Sequence, residues 1–169
     1  EMEFFDIVDE EGAVIGKASR TECHSDPRLI HRTVHVLVMN TRGDIFLQKR
    51  SPFKDIQPGK WDTSVGGHLA AGETVRQALA RELEEELSIS VDEVTPVFCY
   101  RYLWRSPVET ELVHTFRILY NGPIRIQAEE ISEGRFWTIW EIERNIGGNV
   151  FTPNFELEFE KLRRLPPLP

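Results

Sequence analysis

Three glutamates, Glu82, Glu85 and Glu86, stand at i, i+3 and i+4 in the segment Arg81-Glu82-Leu83-Glu84-Glu85-Glu86-Leu87. At about 3.6 residues per helical turn this spacing puts the three carboxylates on one face and the leucines on another. Carboxylates roughly 5 Å apart repel by about 3 kcal/mol at an effective dielectric of about 20, and by under about 1 kcal/mol in bulk water. Such a cluster is either a solvated face, which an acidic run on a helix usually is, or a set of ligands for a cation. All-oxygen ligation favours Mg²⁺ or Mn²⁺ over Zn²⁺.

The wider spacing argues for the cation. Gly67 is followed after five residues by Glu73, and after seven more by Arg81-Glu82-Leu83-x-Glu85-Glu86-x-Ser88-Ile89. This pattern resembles the Nudix box of the Nudix hydrolases, with Ser88 standing where the family has Gly. A serine can close a helix end, though less easily than glycine if the backbone needs φ > 0. The resemblance implies an α/β/α sandwich with a mixed sheet and hydrolysis of a diphosphate attached to another moiety. It implies that Glu82, Glu85 and Glu86 hold Mg²⁺ or Mn²⁺, that one of them is the general base, and that Arg81 orients the carboxylates. Gly67, Glu73 and Arg81 are the structural positions of the box. A divalent ion would offset the charge of a diphosphate, fix it for in-line attack and lower the pKa of bound water. Taken alone, Glu73 is also an acid of the kind favoured near a helix N-terminus.

A second resemblance covers most of the chain. Cys23-His24-Ser25-Asp26-Pro27-Arg28-Leu29-Ile30-His31, Arg50-x-x-x-Lys54, Pro58-Gly59-x-Trp61, Gly67-His68 and Glu109-Thr110-Glu111 are similar to isopentenyl-diphosphate isomerase, itself a Nudix-fold enzyme. It implies a second metal site at His24, His31, His68, Glu109 and Glu111, and diphosphate contacts from Arg50 and Lys54. Glu109 and Glu111, at i and i+2, would project from one face of a strand, as a solvated edge also does. Arg can bind phosphate bidentately and Lys can supply a mobile charge, although two basic residues on a loop are ordinary.

The isomerase chemistry needs a proton donor and acceptor on opposite faces of its substrate. Where that family has a cysteine before Gly-His, this chain has Gly66, and where it has a Trp after Phe-Ser-Pro, Phe151-Thr152-Pro153 is followed by Asn154. The expectation is therefore a hydrolase on the isomerase-like branch. The alternatives are an isomerase-type enzyme and a nucleotide- or metabolite-sensing domain without turnover, toward which Ser88 is the one feature.

These residues need elements to position them. Phe4 to Val8 and Ala13 to Ser19 flank a turn-like Asp9-Glu10-Glu11-Gly12, which predicts an N-terminal β-hairpin extension. Thr33 to Met39 and Ile45 to Arg50, joined by Asn40-Thr41-Arg42-Gly43-Asp44, predict a core hairpin. Ser51 to Trp61, with Pro52, Pro58 and Gly59, reads as a loop. Thr74 to Leu87 predicts a helix, capped by Thr74 with Gln77 and striped by Val75, Leu79, Leu83 and Leu87. Strands are expected at Val94 to Arg105, Leu112 to Tyr120 and Arg135 to Thr138, a short helix around Trp140 to Asn145, and a last helix from Thr152-Pro153 through Phe155, Phe159 and Leu162. Trp61 is expected in the core, with lining the substrate pocket the alternative, and Trp104, Trp137 and Trp140 are expected in the core or at an interface.

With 169 residues, 40% hydrophobic, the chain can bury a core as a single domain over residues 1–169. Its net charge of -8, from 20 Lys+Arg against 28 Asp+Glu, argues against a nucleic-acid partner gripped through phosphate neutralisation. Local positive charge at Lys49, Arg50, Lys54 and Lys60 marks where a small-molecule diphosphate could enter. No apolar run approaches a membrane span, and Glu1-Met2-Glu3 opens neither a signal nor a transit peptide, so a cytoplasmic protein is expected. Cys23 and Cys99 are expected to be free thiols. Strand or aromatic surfaces leave room for a homodimer.

Overall fold

The computed structural model describes residues 2–169. Among them, nine strands form one mixed sheet: β1 (Phe4–Val8), β2 (Val14–Ser19), β3 (Ile30–Met39), β4 (Ile45–Arg50), β5 (Trp61–Asp62), β6 (Val65–His68), β7 (Val97–Arg105), β8 (Thr110–Leu119) and β9 (Ile131–Trp137). Helices α1 (Arg20–Cys23), α2 (Val75–Leu87), α3 (Ile139–Asn145) and α4 (Pro153–Leu162) complete it. No helix among the described residues is long and apolar enough to cross a membrane.

Strand β3 is the axis. It runs parallel to β8 from Ile30↔Thr110 to Met39↔Leu119 and antiparallel to β6 over Thr33↔His68 to Val36↔Val65. Because successive side chains alternate, Val34, Val36 and Val38 enter the core under α2 with Leu79, Leu83 and Leu87, while Leu37 enters the core under α4 with Phe151, Phe155 and Phe159. The α/β/α sandwich is this pair of cores on the two faces of one sheet.

The N-terminal hairpin forms as its turn residues dictate, β1 pairing β2 from Phe4↔Ser19 to Val8↔Val14. The core hairpin departs from expectation. Strands β3 and β4 meet only at Met39↔Ile45, then part, and Ser64 sits between them, accepting from the Val38 N–H at 2.9 Å and donating to the Phe46 carbonyl. The freed edge of β3 is taken by β6, a strand not expected from the sequence. Helix α1 was not expected either; Ser19 and Glu22 cap it reciprocally. Boundaries shift elsewhere: Val91–Glu93 is a 3-10 turn ahead of β7, β8 begins at Thr110, β9 already at Ile131, and α3 at Ile139. Trp61 and Trp137 are core residues, Trp104 is half-buried, and Trp140 is 61% exposed, outside the core, with Arg144 over its ring.

Candidate functional site

The short strand β6 divides the chemistry, because its two glycines face opposite ways. Gly67 faces α2, where any Cβ would run into the carboxyl of Glu82. Helix α2 is fixed there by the capping box of Thr74 and Gln77 and by its leucine stripe. One turn further, Glu86 is 8% exposed; its Oε1 accepts from Gln48 Nε2 at 2.8 Å, and its Oε2 is buried without a partner. Burial, reinforced by Glu82, holds the Glu86 carboxyl well above the usual range. The Glu82 side chain is 13% exposed and that of Glu85 53%, so two of the three acids turn inward and one remains at the rim.

Arg81 ties these groups together. Its Nε and Nη2 each donate to Glu73 at 2.9 Å, its Nη1 donates to Glu82 at 2.6 Å and Glu85 at 3.4 Å, and Nη2 also reaches the His68 carbonyl at 3.0 Å. The Arg81 hydrogen bonds hold the Glu73 carboxyl below its ordinary value. An unpaired buried oxygen on Glu86 beside a second carboxylate fits a divalent cation of the Mg²⁺ or Mn²⁺ type.

The opposite face of β6 gathers the histidines. His24 follows α1, His31 lies on β3, and His68 ends β6. One ligand atom each from His24, His31, His68 and Glu109 lie within 4.8 Å of one another. Glu109 Oε2 is 3.3 Å from His24 Nε2 and 3.8 Å from His31 Nε2, while Glu111 Oε2 is 3.9 Å from His31 Nε2 and 3.8 Å from His68 Nε2. His31 is fully buried with neither ring nitrogen hydrogen-bonded. Burial pushes it down to about 4 and His68 well below its ordinary value, and lowers His24, so all three rings present neutral lone pairs near pH 7. Burial and then Glu109 push Glu111 up to about 7. Three imidazoles and two carboxylates fit a transition-type divalent ion. Glu109 lies one residue ahead of β8, where Ser106 Oγ donates to its carbonyl at 3.2 Å, and its carboxylate projects to the same side as that of Glu111, as their i, i+2 spacing predicts, both approaching His31 Nε2.

The N-terminal hairpin completes this cluster. Phe5 stacks on His31 at 5.2 Å and on His68 at 5.0 Å, and Cys23, fully buried against it, anchors the helix that delivers His24. Arg50 is paired with Asp62 at 3.6 Å and bonded to the Ile56 carbonyl at 3.0 Å, and Lys54 is paired with Glu130 at 2.8 Å.

Sequence reasoning missed the polar floor under α4. Glu158 is fully buried; its Oε1 accepts from Tyr100 Oη at 2.9 Å and Thr115 Oγ1 at 2.8 Å, and its Oε2 from Tyr102 Oη at 2.7 Å and from His35 Nδ1. One signal was available: Glu158 sits on the same helical stripe as Phe155, Phe159 and Leu162. Gln48 and Phe5 carried no sequence signal.

Residues 29–155 match the model of the NUDIX domain. The chain is 33% identical over 154 residues to an isopentenyl-diphosphate Delta-isomerase of Streptomyces avermitilis, covering 89% of this chain and 78% of that one. It is 38% identical over 129 residues to a Nudix hydrolase of Pseudomonas aeruginosa, covering 76% and 75%. A crystal structure from Deinococcus radiodurans superposes with a TM-score of 0.82 at 25% identity, over 96% of this chain and all of the other.

Proposed function

Since the chain belongs to the Nudix family, we propose that it is a divalent-metal-dependent hydrolase of a small organic diphosphate. The observation that carries this is Glu86: a buried carboxylate with one oxygen unpaired, packed beside Glu82 and held against a strand that must be glycine at Gly67. Glu82, Glu85 and Glu86 would hold Mg²⁺ or Mn²⁺, and one of them would accept the proton of the attacking water. The ion would supply charge compensation for the diphosphate and activation of water. Arg81 keeps the carboxylates aimed, and Glu73 keeps Arg81 in place. Arg50 and Lys54 would contact the diphosphate on releasing Asp62 and Glu130. His24, His31, His68, Glu109 and Glu111 would hold a second ion on the other side of β6. The unpaired thiols of Cys23 and Cys99 accord with a cytoplasmic location.

The histidine cluster also favours a second reading, isomerisation of a prenyl diphosphate. Gly66 has no thiol to give or take a proton, and Asn154 offers no aromatic face to a carbocation. No interconversion of isopentenyl and dimethylallyl diphosphates is expected.

The test is hydrolysis of nucleoside, nucleotide-sugar and prenyl diphosphates, read as inorganic phosphate for the free diphosphates and as the nucleoside monophosphate for the nucleotide sugars, with Mg²⁺ and Mn²⁺ compared. Glu85→Gln and Glu86→Gln should each lower metal-dependent turnover by about 100-fold or more. Unchanged turnover in both would place the reaction elsewhere.

A further inference from the structure

The polar floor under α4 has an outlet that the histidine–glutamate cluster does not use. A carboxylate with no exposure, such as Glu158, needs a counter-charge as well as hydrogen bonds. Among the described residues, His35 is the one cationic side chain bonded to it. Burial disfavours the charged imidazole, but the charge and hydrogen bond of Glu158 outweigh it and raise His35 to about 9. With Nδ1 committed to Glu158, the remaining donor is Nε2, which bonds no group of the protein among the described residues.

The direction of that donor follows from the register. His35 lies opposite Gly66 on β6, and a Cβ on Gly66 would stand 3.2 Å from His35 Cδ2 and 3.4 Å from Nε2. Gly66 is itself exposed, and the His35 side chain remains 14% accessible. The absence of a side chain at Gly66 therefore leaves the imidazole edge accessible on the histidine side of β6. Asn154 stands beside this floor, its Oδ1 accepting from Tyr102 Oη at 3.1 Å. The two positions at which the isomerase resemblance fails, Gly66 and Asn154, thus border one network. A hydrocarbon laid over Gly66 would cover a charged N–H without satisfying it, at the cost of a desolvated donor. A sugar hydroxyl or a base carbonyl would accept from it.

We propose that His35, anchored by Glu158, is a specificity-determining residue, with Nε2 donating to an acceptor atom on the organic moiety of the diphosphate where that moiety passes over Gly66. Glu158 is a positioning residue that acts through His35. The moiety is accordingly polar and hydroxylated, and isoprenoid chains are disfavoured. This rests on the diphosphate-hydrolase reading.

Two non-hydrolysable methylene-bisphosphonates, one carrying uridine and one carrying dimethylallyl, separate the two readings by calorimetric binding to the full chain. The wild-type protein should bind the uridine compound more tightly. His35→Leu combined with Glu158→Gln, which leaves no unpaired buried charge, should weaken the uridine compound by about 10- to 100-fold and narrow or reverse the preference. His35→Gln, which keeps a donor, should recover part of the loss. Gly66→Ala keeps both members of the His35–Glu158 pair and sets a methyl 3.2 Å from His35 Cδ2, over its outlet, so it should weaken the same compound selectively. Equal losses for both compounds, no loss for either, or no initial preference would overturn the proposal. Hydrolysis of the parent diphosphates is scored separately. Selective binding without turnover would reject the hydrolase and keep the role of His35.

Discussion

Ser88 closes α2 at φ 57 and ψ 38, in the left-handed region, while its N–H donates to the Glu84 carbonyl at 3.0 Å. The position therefore does need φ > 0, and the serine occupies it under strain of roughly 1–2 kcal/mol. Ser88→Gly relieves that strain and loses part of the gain to the larger entropy of unfolded glycine. It should stabilise the protein by about 1 kcal/mol, raising the calorimetric midpoint by about 2–4 °C; an unchanged or lower midpoint would show that the serine is held without strain. The residue types of the site were legible because spacing along a helix is local arithmetic: Glu82, Glu85 and Glu86 share a side of α2 as i, i+3 and i+4 require. Their unequal burial was not, since it depends on which turn of α2 faces β6 and Gln48.

At the scale of elements, β6 is the piece on which both clusters depend, and it was missed. Thr63-Ser64-Val65-Gly66-Gly67-His68 shows no apolar alternation, because two of its positions carry no side chain. Its glycines are there for close approach: Gly67 to Glu82 and Gly66 to His35. Gly67→Ala should destabilise the protein by about 1–3 kcal/mol, as overpacking does, and should lower metal-dependent turnover by displacing Glu82. Urea unfolding with a parallel activity measurement checks this, and wild-type stability in the variant would refute the packing. The strands and helices with full side-chain patterns were read from the sequence to within a few residues, α2 among them, whereas the four-residue α1 is too short for periodicity to reveal.

At the scale of the molecule, the His35–Glu158 pair joins the central strand to α4, across 123 positions of sequence. His35 is raised to about 9, so its share of stability is fully present below its unfolded value near 6.5 and is lost as pH rises through 9. Glu158 is held below its ordinary value, burial being outweighed by His35 and the hydroxyl donors; its share is present above about pH 4.5 and is lost as pH falls through the folded value. The difference in unfolding free energy between wild type and Glu158→Gln should thus be largest between about pH 4.5 and 6.5. It should shrink by on the order of 3 kcal/mol as pH is raised to 9. Denaturant titrations across that range test it, and a difference constant from pH 6 to pH 9.5 would show that His35 carries no charge in the pair.

The family and the acid-bearing helix were legible in the sequence because each rests on spacing within one segment, and the sandwich and the histidine–glutamate set were legible through the family resemblance that those motifs carry; that His24, His31, His68 and Glu109 converge is decided by the fold. Tertiary structure alone decided that β6 separates two polar clusters, that the N-terminal hairpin closes one of them with Phe5, and that His35 and Glu158 meet beneath Gly66. Those are contacts between residues far apart in the chain. What places them is the pairing of β3 with β6 and β8 and the packing of α4, which no local pattern encodes.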